Sequence, residues 1–347
     1  MYRKVFMLSK LTALLGLALV VGLGCAFGQE KAPDETIKVE TKLVSVPTTV
    51  SDRNGRYIPN LTAADFQIFQ DGVQQNIEFF AATEEPITVA LLIDTSQSTR
   101  PVLGDIKDSA KSFIKLLTPA DRAMIVSFDF AAHTLSPLTN DQEKLKNSIK
   151  SAEIPKQLAG TTLRDAVYDT INTAFKGLTG RKAIILLTDG KDFGSRISRE
   201  TLLYGMEESD TLVYTVFFKT DDRPQRPMFG GFPRGRRGGG IFGRFPPIGF
   251  PGRRDDRQRE RMEQENRIAE AFLQQLSDLT AGRLFSSKDG KLKKTFAAIV
   301  DELRFQYRLG FYPAEETGDS TLHNLRVKVS RPDVSVRARG SYRTQNK

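Results

Sequence analysis

Five side chains that can offer oxygen ligands lie in three short, well-separated loops of this 347-residue chain. They are Asp94, Ser96, Ser98, Thr161 and Asp189. Asp94 and Asp189 each come directly after a run of apolar residues that is typical of a buried strand. Two carboxylates supply charge and three hydroxyls supply neutral oxygens, a ligand set that suits a hard divalent cation. The sequence therefore predicts a site for Mg²⁺, or for Mn²⁺ or Ca²⁺ in its place.

The composition excludes other kinds of metal site. The chain contains one Cys, two His and no Trp. One Cys cannot form an intramolecular disulfide or a cysteine-built zinc site, and two His are too few for a multi-histidine centre. A bound metal must therefore be held by oxygen.

Strands and helices alternate after Pro86. Apolar runs predict strands over 87–93, 123–128, 183–188 and 211–218. Helices are predicted near 102–117, 141–151, 163–177, 198–207 and 264–280. This order predicts an α/β fold with a doubly wound, mostly parallel sheet that is covered by helices on both faces. Ligands of such sheets bind beyond the carboxyl ends of the strands, where the two Asp residues both lie.

Two β-rich segments, 37–82 and 305–343, flank this region. Both alternate apolar and polar side chains, and the first contains turn signals at 52–55 and at Asp71-Gly72. Unpaired strand edges in the first segment would accept strands from the second. One topology is therefore a single small β-sandwich made from both segments, with the α/β domain inserted between them.

The net charge of +9 is concentrated in one segment. Residues 223–259 are rich in Gly, Arg, Pro and Phe, and they carry ten Arg and two Asp, which predicts a disordered insertion within the α/β domain. The rest of the chain, apart from three basic residues near the N-terminus, is close to neutral, so nucleic acid is not an expected partner. The insertion should emerge at the same rim as the two Asp residues. It is either a solvated loop or a contact for an anionic surface of the cell envelope.

The N-terminus has the features of an export signal. Three basic residues precede an apolar run over 11–27, and Ala26 and Gly28 fit a cleavage site that would remove residues 1–28. Cleavage before Cys25 to give a lipoprotein, and an uncleaved membrane anchor, are the alternatives. We expect an exported protein that is periplasmic, secreted or on the cell surface.

The region 86–304 resembles a von Willebrand factor A-type domain. Its segment 94-DTSQS-98 matches the D-x-S-x-S motif of the metal-ion-dependent adhesion site (MIDAS) of that family. Thr161, in Ala159-Gly160-Thr161, and Asp189, in 188-TDG-190, match the distant Thr and Asp of the same site. The resemblance implies cation-dependent binding of a protein ligand that offers a carboxylate, without catalysis. The flanking β-rich segments resemble those of exported bacterial proteins built around such a domain.

The chain departs from the family pattern around the first loop. Gln97 stands where Gly is frequent and Thr99 where Met is frequent, although neither position is a ligand. Arg100 and Arg164 flank the ligand loops, where they would either attract an acidic partner or compete with the cation.

Other interpretations of the same residues remain open. Asp, Ser and Thr are preferred at helix N-termini, so each loop alone is also typical of a helix cap. For the whole protein, the alternative is a structural scaffold of the cell envelope with a non-essential metal site. Catalysis is not expected, because the chain has no G-x-S-x-G nucleophile motif and no glycine loop for phosphate. The sequence does not indicate the ligand or the oligomeric state.

Overall fold

The structure, a computed structural model, describes residues 43–82, 85–156, 160–220, 253–287, 292–313 and 321–344. All of them belong to the unit Lys42–Lys347. The predicted signal peptide, 1–28, and residues 223–252 of the predicted insertion lie outside the described residues.

The strands, in chain order, are β1 (Val44–Asp52), β2 (Phe66–Gln70), β3 (Val73–Gln75), β4 (Phe79–Ala82), β5 (Ile87–Asp94), β6 (Arg122–Phe128), β7 (Ala132–Thr139), β8 (Arg181–Thr188), β9 (Leu212–Phe217), β10 (Leu284–Ser286), β11 (Tyr307–Phe311), β12 (Leu322–Val329), β13 (Val334–Ala338) and β14 (Ser341–Arg343). The α-helices are α1 (Leu103–Ile114), α2 (Gln142–Ser151), α3 (Leu163–Asp169), α4 (Arg199–Glu208), α5 (Arg253–Leu279) and α6 (Leu292–Arg304).

A six-stranded sheet in the order β10-β9-β8-β5-β6-β7 forms the centre of the α/β region. Neighbouring strands are parallel except for β6 and β7, which are antiparallel. The chain first adds β6 on one side of β5 and then β8 and β9 on the other side. This reversal of direction confirms the predicted doubly wound α/β fold and places the switch point beside β5.

Alternate residues of β5 face two different helical layers. Val89 and Leu91 share an apolar cluster with α1, α2 and α6, whereas Ala90 and Leu92 share one with α3, α4 and α5. All eight residues of β5 are buried. Burial on both faces explains why this strand is a continuous apolar run instead of an alternating pattern.

Two four-stranded antiparallel sheets combine both ends of the described chain. Their orders are β13-β1-β11-β4 and β14-β12-β2-β3. Val46 and Leu309 of the first sheet share one buried cluster with Ile68 and Leu325 of the second. The two sheets therefore form the predicted β-sandwich, and the α/β domain is inserted between its N- and C-terminal halves.

Several predicted boundaries were wrong. Helix α5 begins at Arg253 instead of near 264, so residues 253–259, assigned to the disordered insertion, are helical. The helix predicted over 163–177 is α-helical only to Asp169 and continues as a π-helix over Thr170–Ala174. Strands β7 and β10 and helix α6 were not predicted. Among the described residues, no helix combines the length and the apolar character that a membrane span needs.

Glu302, on α6, joins the β-sandwich to the α/β domain. Its side chain is fully buried and accepts hydrogen bonds from Tyr57 Oη, at 3.1 Å, and Tyr214 Oη, at 3.0 Å. It also forms an ion pair with Arg337 of β13. Burial and the charge of Glu302 raise the pKa of Tyr214 well above its usual range, so this hydroxyl stays a donor. One carboxylate thus satisfies donors from both parts of the molecule.

We expect Glu302→Ala to lower the free energy of unfolding by about 3 kcal/mol, because the partly buried guanidinium of Arg337 and two tyrosine hydroxyls lose their acceptor. The measurement is chemical denaturation followed by circular dichroism. Glu143→Ala is the control, since Glu143 forms an exposed pair with Lys146 and its loss should change little. If both variants unfold at the same denaturant concentration as the wild type, Glu302 does not stabilise the junction.

Candidate metal centre

Asp94, the last residue of β5, lies at the centre of the candidate site. Its side chain is fully buried. Asp94 Oδ1 accepts a hydrogen bond from the Ser96 N–H at 2.9 Å, and Oδ2 accepts one from Thr188 Oγ1 at 2.5 Å. Thr188 ends β8, the neighbouring strand, so the second bond links the two strand ends. These contacts fix the direction in which the carboxylate points.

Ser96 and Ser98 lie together in the loop that follows. Their hydroxyl oxygens are 3.0 Å apart. The Thr99 hydroxyl closes the loop by donating to the main-chain oxygens of Asp94, at 3.0 Å, and Ser96, at 2.9 Å. Ser96 precedes the short 3₁₀ turn Gln97–Thr99, but its side chain makes no capping hydrogen bond there. The first loop is therefore not a helix cap, and its hydroxyls are directed to one another.

Asp189, directly after β8, is also fully buried. Its Oδ2 accepts a hydrogen bond from Thr220 Oγ1 at 2.7 Å, and its Oδ1 accepts one from the Lys191 N–H at 3.3 Å. The Lys191 ammonium lies 3.6 Å from Asp189 Oδ2 and is itself almost completely buried. A positive charge of the protein therefore stands beside this carboxylate.

Gly190 allows the chain to turn away from Asp189. Its φ is +74°, in the left-handed region that favours glycine. A Cβ atom at this position would come within 2.9 Å of Leu273 Cδ1 on α5. The T-D-G sequence therefore needs its glycine for both backbone conformation and packing.

Thr161 is held beside the Asp189 loop by its main chain. Its carbonyl accepts hydrogen bonds from the N–H groups of Phe193 and Gly194, both at 3.1 Å. Thr162, which precedes α3, donates its hydroxyl to the Asp129 carbonyl at 3.1 Å and makes no side-chain cap. Ala159 lies outside the described residues. Three loops, after β5, before α3 and after β8, thus meet at one edge of the sheet.

The electrostatics of this edge favour a positive ligand. Burial, and then the negative charge of Asp189, raise the pKa of the Asp94 carboxyl to about 7. Hydrogen bonds from Ser96 and Thr188 act in the opposite direction but do not offset these two effects. The pair of carboxylates is therefore stabilised by binding either a proton or a cation.

The donor set fits a hard divalent cation. Two buried carboxylates and three hydroxyls offer only oxygen, as Mg²⁺, Mn²⁺ and Ca²⁺ prefer. The hydrogen bonds from Thr188 and Thr220 orient the two carboxylates from behind, as second-shell contacts do in metal sites. Among the described residues no group of three or more His, Cys, Asp and Glu could hold a metal. The predicted set has two carboxylates only, and its metal binding stays a prediction.

Comparison with known families agrees with this geometry. Residues 89–191 match the model of the von Willebrand factor type A domain. The matched range contains all five candidate ligands. The chain contains a von Willebrand factor type A (VWA) domain. Domains of this type are generally interaction modules and not enzymes.

Similar solved structures come from several organisms. BatB from Bacteroides thetaiotaomicron is 17% identical, with 62% of this chain and 98% of that chain covered and a TM-score of 0.44. For the von Willebrand factor domain of the type V pili tip protein Mfa5 from Porphyromonas gingivalis, the identity is 26%, the coverages are 32% and 39%, and the TM-score is 0.28. Proximal thread matrix protein 1 from the mussel byssus, with a zinc-occupied MIDAS motif, is 13% identical. The match covers 67% of this chain and 49% of that chain, with a TM-score of 0.44. No curated protein matches the chain by sequence.

Sequence reasoning missed three residues of the candidate metal centre. Thr188 and Thr220 hold the two carboxylates, and Lys191 places an ammonium beside one of them. Thr188 and Lys191 are sequence neighbours of Asp189, so the T-D-G-K segment carried a signal. Thr220 has no comparable signal, because it lies beyond β9 and reaches Asp189 only through the fold.

Asp94→Asn should make the metal-free VWA domain more stable above neutral pH. The raised pKa means that the ionised carboxylate destabilises the fold at about pH 8. This penalty decreases as pH falls from about 7 towards the usual pKa of an Asp, about 3.9. The substitution should therefore raise the free energy of unfolding by on the order of 2–4 kcal/mol at about pH 8 in EDTA, and by much less at about pH 5. Urea denaturation at both pH values measures the difference.

Asp121→Asn is the matched control for this prediction. Asp121 is also buried, but it accepts hydrogen bonds from the Ile87 N–H and from the N–H and hydroxyl of Thr118. Its replacement should destabilise the protein. A loss of stability in Asp94→Asn at the higher pH would contradict the stated electrostatics of the site.

Proposed function

We propose that this protein is an exported, non-enzymatic binding module of the adhesion type. Asp94, Ser96, Ser98, Thr161 and Asp189 hold a divalent cation, which is Mg²⁺ or alternatively Mn²⁺ or Ca²⁺. The cation in turn binds an acidic group of a partner protein. The observation that carries the proposal is the pair of buried carboxylates at the ends of neighbouring strands, where burial and the charge of Asp189 raise the pKa of Asp94.

Burial of two like charges supports a cation at this place. An ionised carboxylate that is removed from water costs free energy unless an opposite charge or hydrogen bonds compensate it. The hydrogen bonds from Ser96 and Thr188 leave the pKa of Asp94 raised, so they do not compensate fully. A divalent cation would supply the missing charge, and the raised pKa makes its binding weaker as pH falls below about 7.

The composition of the ligand set supports a partner carboxylate. Mg²⁺ takes six oxygen ligands and usually keeps positions for water or for a group of another molecule. The chain offers five candidate side chains, three of them neutral. An acidic group from a partner would complete both the coordination and the charge of the site.

Lys191 increases the contribution that the partner's carboxylate makes to cation binding. Its ammonium, 3.6 Å from Asp189 Oδ2 and 3.4 Å from Thr220 Oγ1, already offsets part of the negative charge. We therefore expect the cation to bind more weakly than two carboxylates alone would allow. The partner's carboxylate then contributes a larger share of the charge that holds the cation.

Calorimetric titration with Mg²⁺ and Mn²⁺ tests the cation site. We expect saturable binding by the mature protein that is lost in the Asp94→Ala/Asp189→Ala variant, because the variant has no anionic ligand left. Circular dichroism must first establish that the variant is folded. Asp121→Asn is the control, and it should keep the titration.

A pull-down from envelope proteins with the mature protein as bait, in the presence and absence of EDTA, then tests for the partner. Capture that EDTA abolishes supports adhesion through the cation. Capture that EDTA does not change supports the function of a structural scaffold instead, in which the β-sandwich makes the lasting contacts. Turnover of phosphate esters that is lost with Asp94→Ala would contradict the non-enzymatic function.

The arginine-rich insertion provides a second contact with an anionic envelope surface. It begins beyond β9, close to Thr220, whose hydroxyl contacts Asp189. Changing its arginines to serine should lower the salt concentration that elutes the protein from heparin, because heparin is an anionic glycan, and should leave Mg²⁺ affinity unchanged. The variant replaces Arg223, Arg226, Arg234, Arg236, Arg237 and Arg244.

Lysine at the same six positions is the charge-preserving control, and it should elute like the wild type. If serine and lysine variants both elute like the wild type, the insertion is a solvated loop that does not bind anionic surfaces.

A further inference from the structure

Exposed aromatic and arginine side chains lie in the loops beside the predicted ligands. We define the aromatic–arginine rim as Phe130, Phe193, Arg100 and Arg196. Each of these residues lies in a loop that is bonded to, or adjoins, one of the predicted ligands. None of the four is part of the predicted ligand set.

Phe193 lies in the loop after β8, four residues beyond Asp189. Its N–H donates to the carbonyl of Thr161 at 3.1 Å, which fixes its backbone against a predicted ligand. Its side chain is nevertheless 71% exposed. An aromatic side chain with a fixed backbone and an exposed ring is costly in water and suited to contact with another molecule.

Phe130 lies on the other side of the same loop. Its Cβ is only 3.3 Å from the place that a Cβ on Gly160 would occupy, and Gly160 directly precedes Thr161. The Thr162 N–H donates to the Asp129 carbonyl at 2.7 Å and ties the two loops together. The Phe130 side chain is 40% exposed and packs edge-on against His133. Thr161 therefore has an exposed phenylalanine on each neighbouring loop.

Two arginines add positive charge to this surface. Arg100 follows the Ser96–Ser98 loop, is exposed, and donates to the neutral Oε1 of Gln97 at 2.6 Å. Arg196 contacts Asp165 at 3.4 Å, but its side chain stays 86% exposed. Both side chains can therefore approach a negatively charged partner. Aromatic and arginine side chains together are typical of the energetically important part of protein interfaces.

We propose that the aromatic–arginine rim binds the residues next to the carboxylate of a partner protein and selects an acidic segment with a large apolar side chain beside its acid. This inference rests on the proposed function, since the cation holds the carboxylate itself. Phe130 and Phe193 bury the apolar neighbour, and Arg100 and Arg196 attract the acidic segment. The cation binds the partner's carboxylate, and the aromatic–arginine rim determines which partner is bound.

Two synthetic peptides on a biosensor surface test the proposal with the full mature protein in Mg²⁺. One contains Phe-Glu between glycines, and the other contains Gly-Glu in the same frame. The Phe-Glu peptide should bind about five-fold more tightly, which corresponds to about 1 kcal/mol from burial of part of one aromatic ring. This preference should disappear in the Phe130→Ser/Phe193→Ser variant, while its affinity for Mg²⁺ alone stays that of the wild type.

Tyr312→Ser is the matched control. Tyr312 follows β11 in the sandwich, and its side chain is 50% exposed. The control should keep the full preference for Phe-Glu. The proposed selectivity of the rim is overturned if the wild type binds the two peptides equally, or if the double variant keeps the preference. Neither result contradicts the cation site. Failure of both peptides to bind despite normal Mg²⁺ titration overturns the proposed function as well.

Two other occupants of the rim give different results. If the protein binds phosphatidylglycerol vesicles equally with and without EDTA, and the double variant does not bind them, the phenylalanines contact a lipid surface. A wild-type dimer in sedimentation that becomes a monomer in the double variant would assign them to a second copy of this chain. Either result overturns the selection of an acidic, apolar segment.

Discussion

Two carboxylates, buried at the ends of neighbouring parallel strands, are the constraint on which the rest of the structure depends. Parallel pairing of β5 with β8 brings Asp94 and Asp189 to the same edge of the sheet. Helices cover both faces of the sheet, both carboxylates are fully buried, and burial together with the charge of Asp189 raises the pKa of Asp94. The surrounding hydroxyls orient the carboxylates without neutralising them. The fold thus maintains a buried carboxylate at a cost in stability, a frequent property of functional sites.

The chain that leads into the β-sandwich contacts β8 at the end opposite to Asp189. Glu302 joins the two parts, and Arg181, at the first residue of β8, donates to the main-chain oxygens of Leu303 and Gln306 at 2.9 Å. These contacts fix the amino end of β8, whereas Asp189 follows its carboxyl end.

Local sequence patterns predicted the parts of the site that follow apolar runs. Asp94 and Asp189 could be assigned to one edge because a covered parallel strand is continuously apolar and its carboxyl end is where ligands bind. Strand β7 was missed because 132-AHTLSPLT-139 is an edge strand with a proline and little burial. Helix α6 did carry a helical signal, with Phe296, Ile299, Val300 and Leu303 at its buried spacing. Contacts such as Thr220 with Asp189 depend on tertiary approach, which no local pattern records.

Because the two sheets of the sandwich combine strands from distant parts of the chain, they also constrain the order in which the chain can fold. Strand β1 pairs with β11 and β13, so its strand partners are synthesised only after the α/β domain. The α/β domain between them forms from short-range units and brings the two halves together, which reduces the entropy cost of closing so long a loop. A chain that stops early leaves the edges of β1 and β2 open to aggregation and proteolysis. Both sheets of the sandwich therefore need the strands β11 to β14 to be present.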